Sequence, residues 1–324
     1  MTTLHLNATD LSRTVLRSAP SVLLELASAG QRLFDARVPE HLAGWRARTR
    51  AALRPEMRPY LDLCRLPYEL PDFLTPPRLD SDLAAALDEV DATPAAALAA
   101  ELRPRIGAGE LPPRVGALAA GESDARARLR KAMVAFHEVA VAPYWETVTA
   151  AVRADRAVRG HTMLDAGIDR ALRDLSPYLS WVSSGERYQL AYRCEVANDL
   201  ELVPGGRGVT LVPSYFVRQP CFLDDPGAPL VLAYPIRPNR RELTTGKPLA
   251  DLLGRTRAAV LAAAADAPGT SQLARALRIS VASASQHASI LRAAGLITSH
   301  RDGPTVRHAL TPLGAQLLRA GCPA

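Results

Sequence analysis

The feature that most restricts the fold is a succession of short, sharply punctuated elements in the last quarter of the chain. Leu249 to Asp266 carries apolar residues at helical spacing, with Leu252, Leu253, Val260 and Leu261 near one face, and Pro268-Gly269 stops it. Thr270-Ser271 is placed to cap a short helix, Gln272 to Leu277. Three residues, Arg278-Ile279-Ser280, then lead into a third helix from Val281 to Ala294. Gly295 is placed to end that helix in the left-handed conformation that only glycine adopts cheaply. Two strands follow, Leu296 to Arg301 and Thr305 to Leu310, joined by Asp302-Gly303-Pro304. Thr311 as N-cap and Pro312 in the first turn start a last helix.

Helix, short helix, turn, helix, hairpin, helix is the order of a winged helix-turn-helix. The small residues Ala274, Ala284 and Ala288 let two helices cross closely, and Leu273, Leu277, Ile279 and Leu291 fill the space between them. The second helix of such a pair enters the major groove N-terminus first. Its N-terminal and outward side offers Ser280, Ser283, Ser285, Gln286, His287 and Ser289, short or flexible polar groups suited to phosphates and base edges. Arg301 and Arg307 of the hairpin are expected at the flanking DNA backbone. Charge agrees with this reading. From Leu249 onward there are eight arginines, no lysine and three aspartates, a net +5, whereas the first 248 residues carry thirty-one basic against thirty acidic groups. Positive charge gathered in one small region is the electrostatic footprint of a polyanion partner.

The stretch QLARALRISVASASQHASILRAAGLITSHRDGPTVRHALT resembles the ArsR/SmtB family of bacterial transcriptional regulators, with its Ser-capped recognition helix, S-Q-H, L-R-x-A-G-L and a wing ending in L-T. The resemblance spans roughly 249–320. It implies a DNA-binding transcriptional repressor, a homodimer joined through the first and last helices of the winged domain. Two recognition helices would then meet successive major grooves of an inverted-repeat operator about one helical turn apart. Metal-sensing members of the family carry cysteines in the short helix or acidic and His ligands in the final helix. Here Gln272 to Leu277 contains no Cys, and Pro312 to Ala320 contains no His, Asp or Glu, so those metal sites cannot form. Ala288 also stands where a leucine is usual. The wider layout is similar to an actinobacterial branch with a long N-terminal domain. It has a GGRG turn leading to Val212-Pro213-Ser214-Tyr215-Phe216, and Leu252-Leu253-Gly254-Arg255-Thr256-Arg257 at the entry to the first helix.

With 324 residues, a second and larger domain must precede this one. The expected class is α+β: a mainly helical N-terminal domain with a small antiparallel sheet over 1–240, acting in regulation or dimerisation, then the winged helix over 249–320. Leu4 and Leu6 suggest a short strand, followed by helices over Asp10–Leu26 and Pro39–Leu53. Recurrent prolines between Arg54 and Leu79 break the chain into turns. Short helices are expected at 81–90 and 94–102, a link over 104–116, and a long kinked helix from Asp124 to Val158. Another follows from Thr162 to Leu175, with Leu164, Ile168, Leu172 and Leu175 on one face. Strand-forming segments at Tyr188–Tyr192, Leu200–Val203, Gly208–Val212 and Leu230–Tyr234 come next, with Gly205-Gly206 at a hairpin and a linker over Pro238–Pro248.

Several function classes are disfavoured. No apolar run approaches the ~18 residues of a membrane span, and the opening MTTLHLNATD lacks the basic start of a signal peptide. Cys64, Cys194, Cys221 and Cys322 lie far apart with no CxxC pair, which fits neither a disulfide framework nor a zinc clip, so a reduced, cytoplasmic chain is expected. Gly205-Gly206-Arg207-Gly208 lacks the GK[ST] ending of a phosphate loop and reads as a turn. His300 and His308 read as solvated or backbone-contacting residues of the wing. No catalytic constellation, metal site or cofactor motif stands out. Trp145, Tyr178, Trp181, Tyr188, Tyr192, Tyr215 and Phe216 either pack a core or line a pocket for a small-molecule effector. Two other classes stay open: a winged helix used for protein contact, and an enzyme domain carrying a regulatory tail.

Overall fold

A computed structural model describes residues 1–66, 70–76, 82–184, 187–192, 200–225, 227–236, 248–266, 268–302 and 305–321. The chain divides into two compact units, Met1–Thr244 and Thr245–Ala324. The division falls within the expected linker, most of which, like Cys194, Cys322 and the hairpin residues Gly303-Pro304, lies outside the described residues.

Unit 1 is a mixture of helices and two small sheets. It begins with β1 (Thr2–Leu6), α1 (Ala8–Ser12), β2 (Val15–Leu16) and α2 (Val22–Arg32). The single helix expected from Asp10 to Leu26 is therefore two. A reciprocal cap between Asn7 and Asp10 sets α1, and Ser21, just after Pro20, accepts from the Leu24 N–H to start α2 afresh. Next come α3 (Glu40–Ala51), α4 (Arg58–Leu63), α5 (Leu83–Asp91), α6 (Ala95–Gly107), α7 (Gly116–Ala119), α8 (Ser123–Ala140) and α9 (Trp145–Arg173). The stripe Leu129, Met133, Phe136 and Ala140 of α8 is buried, and Ala140 O accepts from the Trp45 indole N–H at 2.7 Å. The kinked helix expected over 124–158 is divided around Pro143 into α8 and α9, and α9 runs on through the break expected between Val158 and Thr162 to a kink at Gly167, its one non-helical residue (φ 80°). That shift explains why Leu164 is 87% exposed while Leu172 and Leu175 are buried: they are not on one helical face.

The strands are β3 (Leu179–Ser184), β4 (Arg187–Tyr192), β5 (Leu200–Leu202), β6 (Val209–Ser214), β7 (Cys221–Leu223) and β8 (Leu230–Pro235). The expectation of one small antiparallel sheet is corrected: among the described residues of unit 1 there are two mixed sheets. The first has the order β3-β4-β1-β5, antiparallel except for the parallel β1–β5 pair, and aligns the buried Leu4 with Leu190 and Leu202. The second has the order β2-β6-β8-β7, with β2–β6 and β6–β8 parallel. Gly205-Gly206 is thus not a hairpin turn, because β5 and β6 belong to different sheets. Strand β8 reads as an unbroken apolar run because it is covered on both faces. Leu230, Leu232 and Tyr234 join the main core, and Val231 and Ala233 pack with Leu24, Val212 and Val217.

Two polar anchors fix these sheets. The GGRG turn folds its Gly206 and Gly208 N–H groups onto the buried Asp10 carboxylate at 2.7 and 3.1 Å. The Val212–Phe216 segment is gripped by α2. Glu25, fully buried, accepts from the N–H groups of Tyr215 (2.9 Å) and Phe216 (3.0 Å) and from Ser214 Oγ (3.0 Å). One helical turn pair further on, Arg32 donates to the carbonyls of Phe216 and Val217. Burial outweighs these bonds and pushes the Glu25 carboxyl up to about 7.

Unit 2 comprises α10 (Pro248–Leu253), α11 (Arg255–Ala263), α12 (Thr270–Leu277), α13 (Val281–Ala293), β9 (Ile297–Asp302), β10 (Thr305–Leu310) and α14 (Pro312–Gly321). The expected continuous helix from Leu249 is broken at Gly254 (φ 80°). Leu249, Val260, Leu261, Leu273, Ala274, Ala284, Ala288, Leu291, Leu296 and Ile297 form its separate core. Burying each of the larger ones contributes roughly 1.5–3 kcal/mol.

Candidate nucleic-acid interface

Helices α12 and α13 pack through small side chains. Ala274, Ala284 and Ala288 are buried where they meet, and the short side chain of Ala288 lies within the core. The turn between them is held by backbone bonds from Ile279 N–H to Ala274 O (3.0 Å) and from Arg278 N–H to Arg275 O (3.3 Å), the pairing of a Schellman motif. Arg278 sits at its left-handed position (φ 55°, ψ 43°). Ser280 then caps α13 by accepting from the Ser283 N–H at 3.1 Å. The cap of α12 differs from expectation: Gly269 is the N-cap, and its N–H is taken by Gln272 Oε1 at 2.8 Å. Thr270 is thereby released for another contact.

With Ala284, Ala288 and Leu291 facing inward, the helical period turns Ser285, Gln286 and Ser289 to solvent, alongside the exposed Ser280. Ser283 and His287 fall on the flank and are half-buried. The expectation that His287 lies on the outward face is corrected accordingly. Its Nδ1 is buried and has no hydrogen-bond partner among the described residues.

The hairpin register pairs Val306 with Arg301 and Arg307 with His300. Successive strand residues point to opposite faces, so Arg301 and Arg307, both exposed, project from opposite sides of the hairpin. They cannot act as one clamp. Arg301 shares the face of Ile297, Ser299 and His308, and Arg307 lies beside the isolated bridge to Gly269.

His308 departs most from the sequence reading. It is 4% exposed, with Nε2 2.9 Å from Thr270 Oγ1 and Nδ1 2.9 Å from Ser299 Oγ. Its backbone N–H also donates to Pro268 O. The ring therefore latches β10 to the start of α12, and so sets the position of the hairpin relative to the two crossing helices. Burial, helped by the Arg292 charge, lowers its pKa and favours the neutral ring. Only the strand register, which brings Ser299 opposite His308, exposes this role. On α14, the Thr311 hydroxyl accepts from the Gly314 N–H at 3.0 Å, as its N-cap position requires.

Arg275 on α12, Arg278 in the turn and Arg292 on α13 are exposed and have no ion-pair partner among the described residues. The arrangement offers uncommitted hydroxyl and amide groups flanked by guanidinium groups, a surface chemically suited to a phosphate backbone and to base edges. Among the described residues no cluster of His, Cys, Asp or Glu is positioned to hold a metal ion, and no helix is long and apolar enough to cross a membrane.

The aromatic group singled out in the sequence is dispersed in unit 1. Trp181 stacks on Tyr188 at 6.0 Å and its indole N–H donates to Asp169; Tyr192, Tyr215 and Phe216 are buried; Trp145 is half-buried and Tyr178 half-exposed. Burial holds the Cys64 and Cys221 thiols up at about 12, which removes them as nucleophiles near neutral pH. Comparison of the chain with protein-family models, curated proteins and solved structures finds no match.

Proposed function

We propose that unit 2 is a winged helix-turn-helix through which the protein binds double-stranded DNA as a cytoplasmic transcriptional regulator, most simply a repressor. The observation that carries this reading is the division of α13 into two faces. One is locked into the core by Ala284, Ala288 and Leu291, and the other presents Ser285, Gln286 and Ser289, exposed and without hydrogen-bond partners among the described residues. Gln286 is the side chain best suited to a bidentate base contact, worth ~1–3 kcal/mol of discrimination. The net +5 of the last quarter supplies the attraction to phosphates. A homodimer agrees with the exposed Leu252 (69%) and Leu313 (55%) on α10 and α14, the elements that join such dimers in the family the sequence resembles.

The test is selection of genomic DNA fragments by the full chain, followed by footprinting across a salt series. Specific sites with inverted symmetry are expected. Gln286→Ala combined with Ser289→Ala should lose those sites while keeping salt-dependent non-specific binding. Absence of any salt-dependent DNA binding would sink the proposal and favour a protein-contact module. Unaltered site selection by the double variant would remove α13 as the reading element.

A further inference from the structure

We propose that a cleft in unit 1, between α4, α7 and α8, binds a small amphipathic anion: an apolar body with one carboxylate head. The cavity has a volume of about 340 Å3, at the lower end of the range for ligand pockets. Its floor is apolar, made by Val115, Leu118, Ala125 and Leu129, and Pro55 and Pro59 form a wall. Its rim is cationic, with Arg58, Arg114 and Arg128 around a single acid, Asp62.

That acid is already neutralised. Asp62 is buried, and both of its oxygens accept from Arg114, at 2.5 Å from Nε and 2.6 Å from Nη2. The bidentate grip fixes the Arg114 guanidinium and leaves its Nη1 edge without a hydrogen-bond partner among the described residues. Arg58 and Arg128 are exposed and have no hydrogen-bond or ion-pair partner among the described residues. Several other arginines of the same unit are paired within their own helical segment, as in Arg159–Asp155, Arg170–Asp174 and Arg173–Asp169. The contrast with a second cavity, of about 350 Å3 and lined by Asp155, Arg159, Arg173 and Asp174, is instructive. There Arg159 is spent on Asp155 and on the carbonyls of Asp174 and Leu175, and Arg173 on Asp169. Of these two cavities, the α4–α7–α8 cleft is the one that joins an apolar floor to unspent positive charge, the complement of a molecule with an oily body and an acidic end.

The proposal is independent of the DNA reading, because it is tested without DNA. Calorimetric titration of the full chain would use decanoate, decanol, decyl phosphate and decyltrimethylammonium, all below their aggregation limits. Decanoate should bind at one site per chain, and decanol and the cationic probe at least about tenfold more weakly. Arg58→Gln combined with Arg128→Gln, at exposed positions that leave the melting temperature unchanged, should weaken decanoate about tenfold and decanol little. Equal binding of decanoate and decanol, no effect of the double variant, or no binding of any probe would overturn the proposal. Decyl phosphate binding about tenfold more tightly than decanoate would overturn the carboxylate assignment.

Discussion

Replacing Arg278 by glycine separates two contributions of one residue. Arg278 occupies the left-handed region, at φ 55° and ψ 43°, and among the described residues it is the only non-glycine with positive φ. For an L-residue that conformation costs ~1–2 kcal/mol. Glycine removes this cost but loosens the unfolded chain by ~0.5–1 kcal/mol. No side-chain hydrogen bond or ion pair among the described residues offsets the gain: the side chain is exposed, and the bonds of the turn, to Ala274 O and Arg275 O, are made by backbone groups. Arg278→Gly should therefore stabilise unit 2 by about 0.5–1 kcal/mol and raise its melting transition by ~2–8 °C. On the proposed function the same change should weaken DNA binding for all sequences and lower the salt slope by about one, the signature of a lost phosphate contact. Hydrogen exchange of the α12 and α13 amides reports the first effect inside the full chain, and binding across a salt series reports the second. A less protected variant would refute the strain argument. An unchanged salt slope would place Arg278 away from the DNA.

Two further outcomes concern stability. Glu25 has its pKa raised from 4.5 to about 7, so its protonated form is favoured in the fold. Its contribution is complete below the unfolded value and is lost as pH climbs through about 7, by up to ~3 kcal/mol. Unit 1 unfolding midpoints followed from acid to neutral pH should show this decline in the native chain and not in Glu25→Gln, and parallel curves would contradict it. In unit 2, a Cβ at Gly314 would lie 1.9 Å from Leu296 O, a backbone atom that cannot step aside. Gly314→Ala should cost more than about 2 kcal/mol in denaturant titration, and a loss near zero would show that α14 can shift freely.

Legibility followed the range of the interactions. In unit 2 the signals are local: the Ser280 cap, Gly295 at φ 69° and the Thr311-Pro312 start each act within a few residues, and from α12 onward the elements lie within a residue or two of where the sequence places them, whereas the break at Gly254 was not foreseen. What escaped there needs two strands in register. His308 becomes a latch only when Ser299 stands opposite it, and Arg301 and Arg307 part company only once their pairing is known. In unit 1 the strand-forming segments are visible, but their partners are not, because β1 and β2 join sheets whose other strands lie far along the chain. Glu25 hides inside the apolar run of α2, and nothing nearby announces that its carboxylate closes on Ser214, Tyr215 and Phe216. The α4–α7–α8 cleft was equally hidden, since its arginines come from three separate helical segments.

The pairing of β1 with β4 and β5 also has a temporal side. Thr2–Leu6 leaves the ribosome long before Tyr188–Tyr192 and Leu200–Leu202 exist to receive it. At typical elongation rates of ~5–20 residues per second, that strand waits roughly 10–40 s with its edges unpaired. Unit 2, whose contacts are short in sequence, has no such delay once synthesised. A nascent chain of this design spends most of its synthesis with its first sheet open, the interval in which a chaperone has the most to bind.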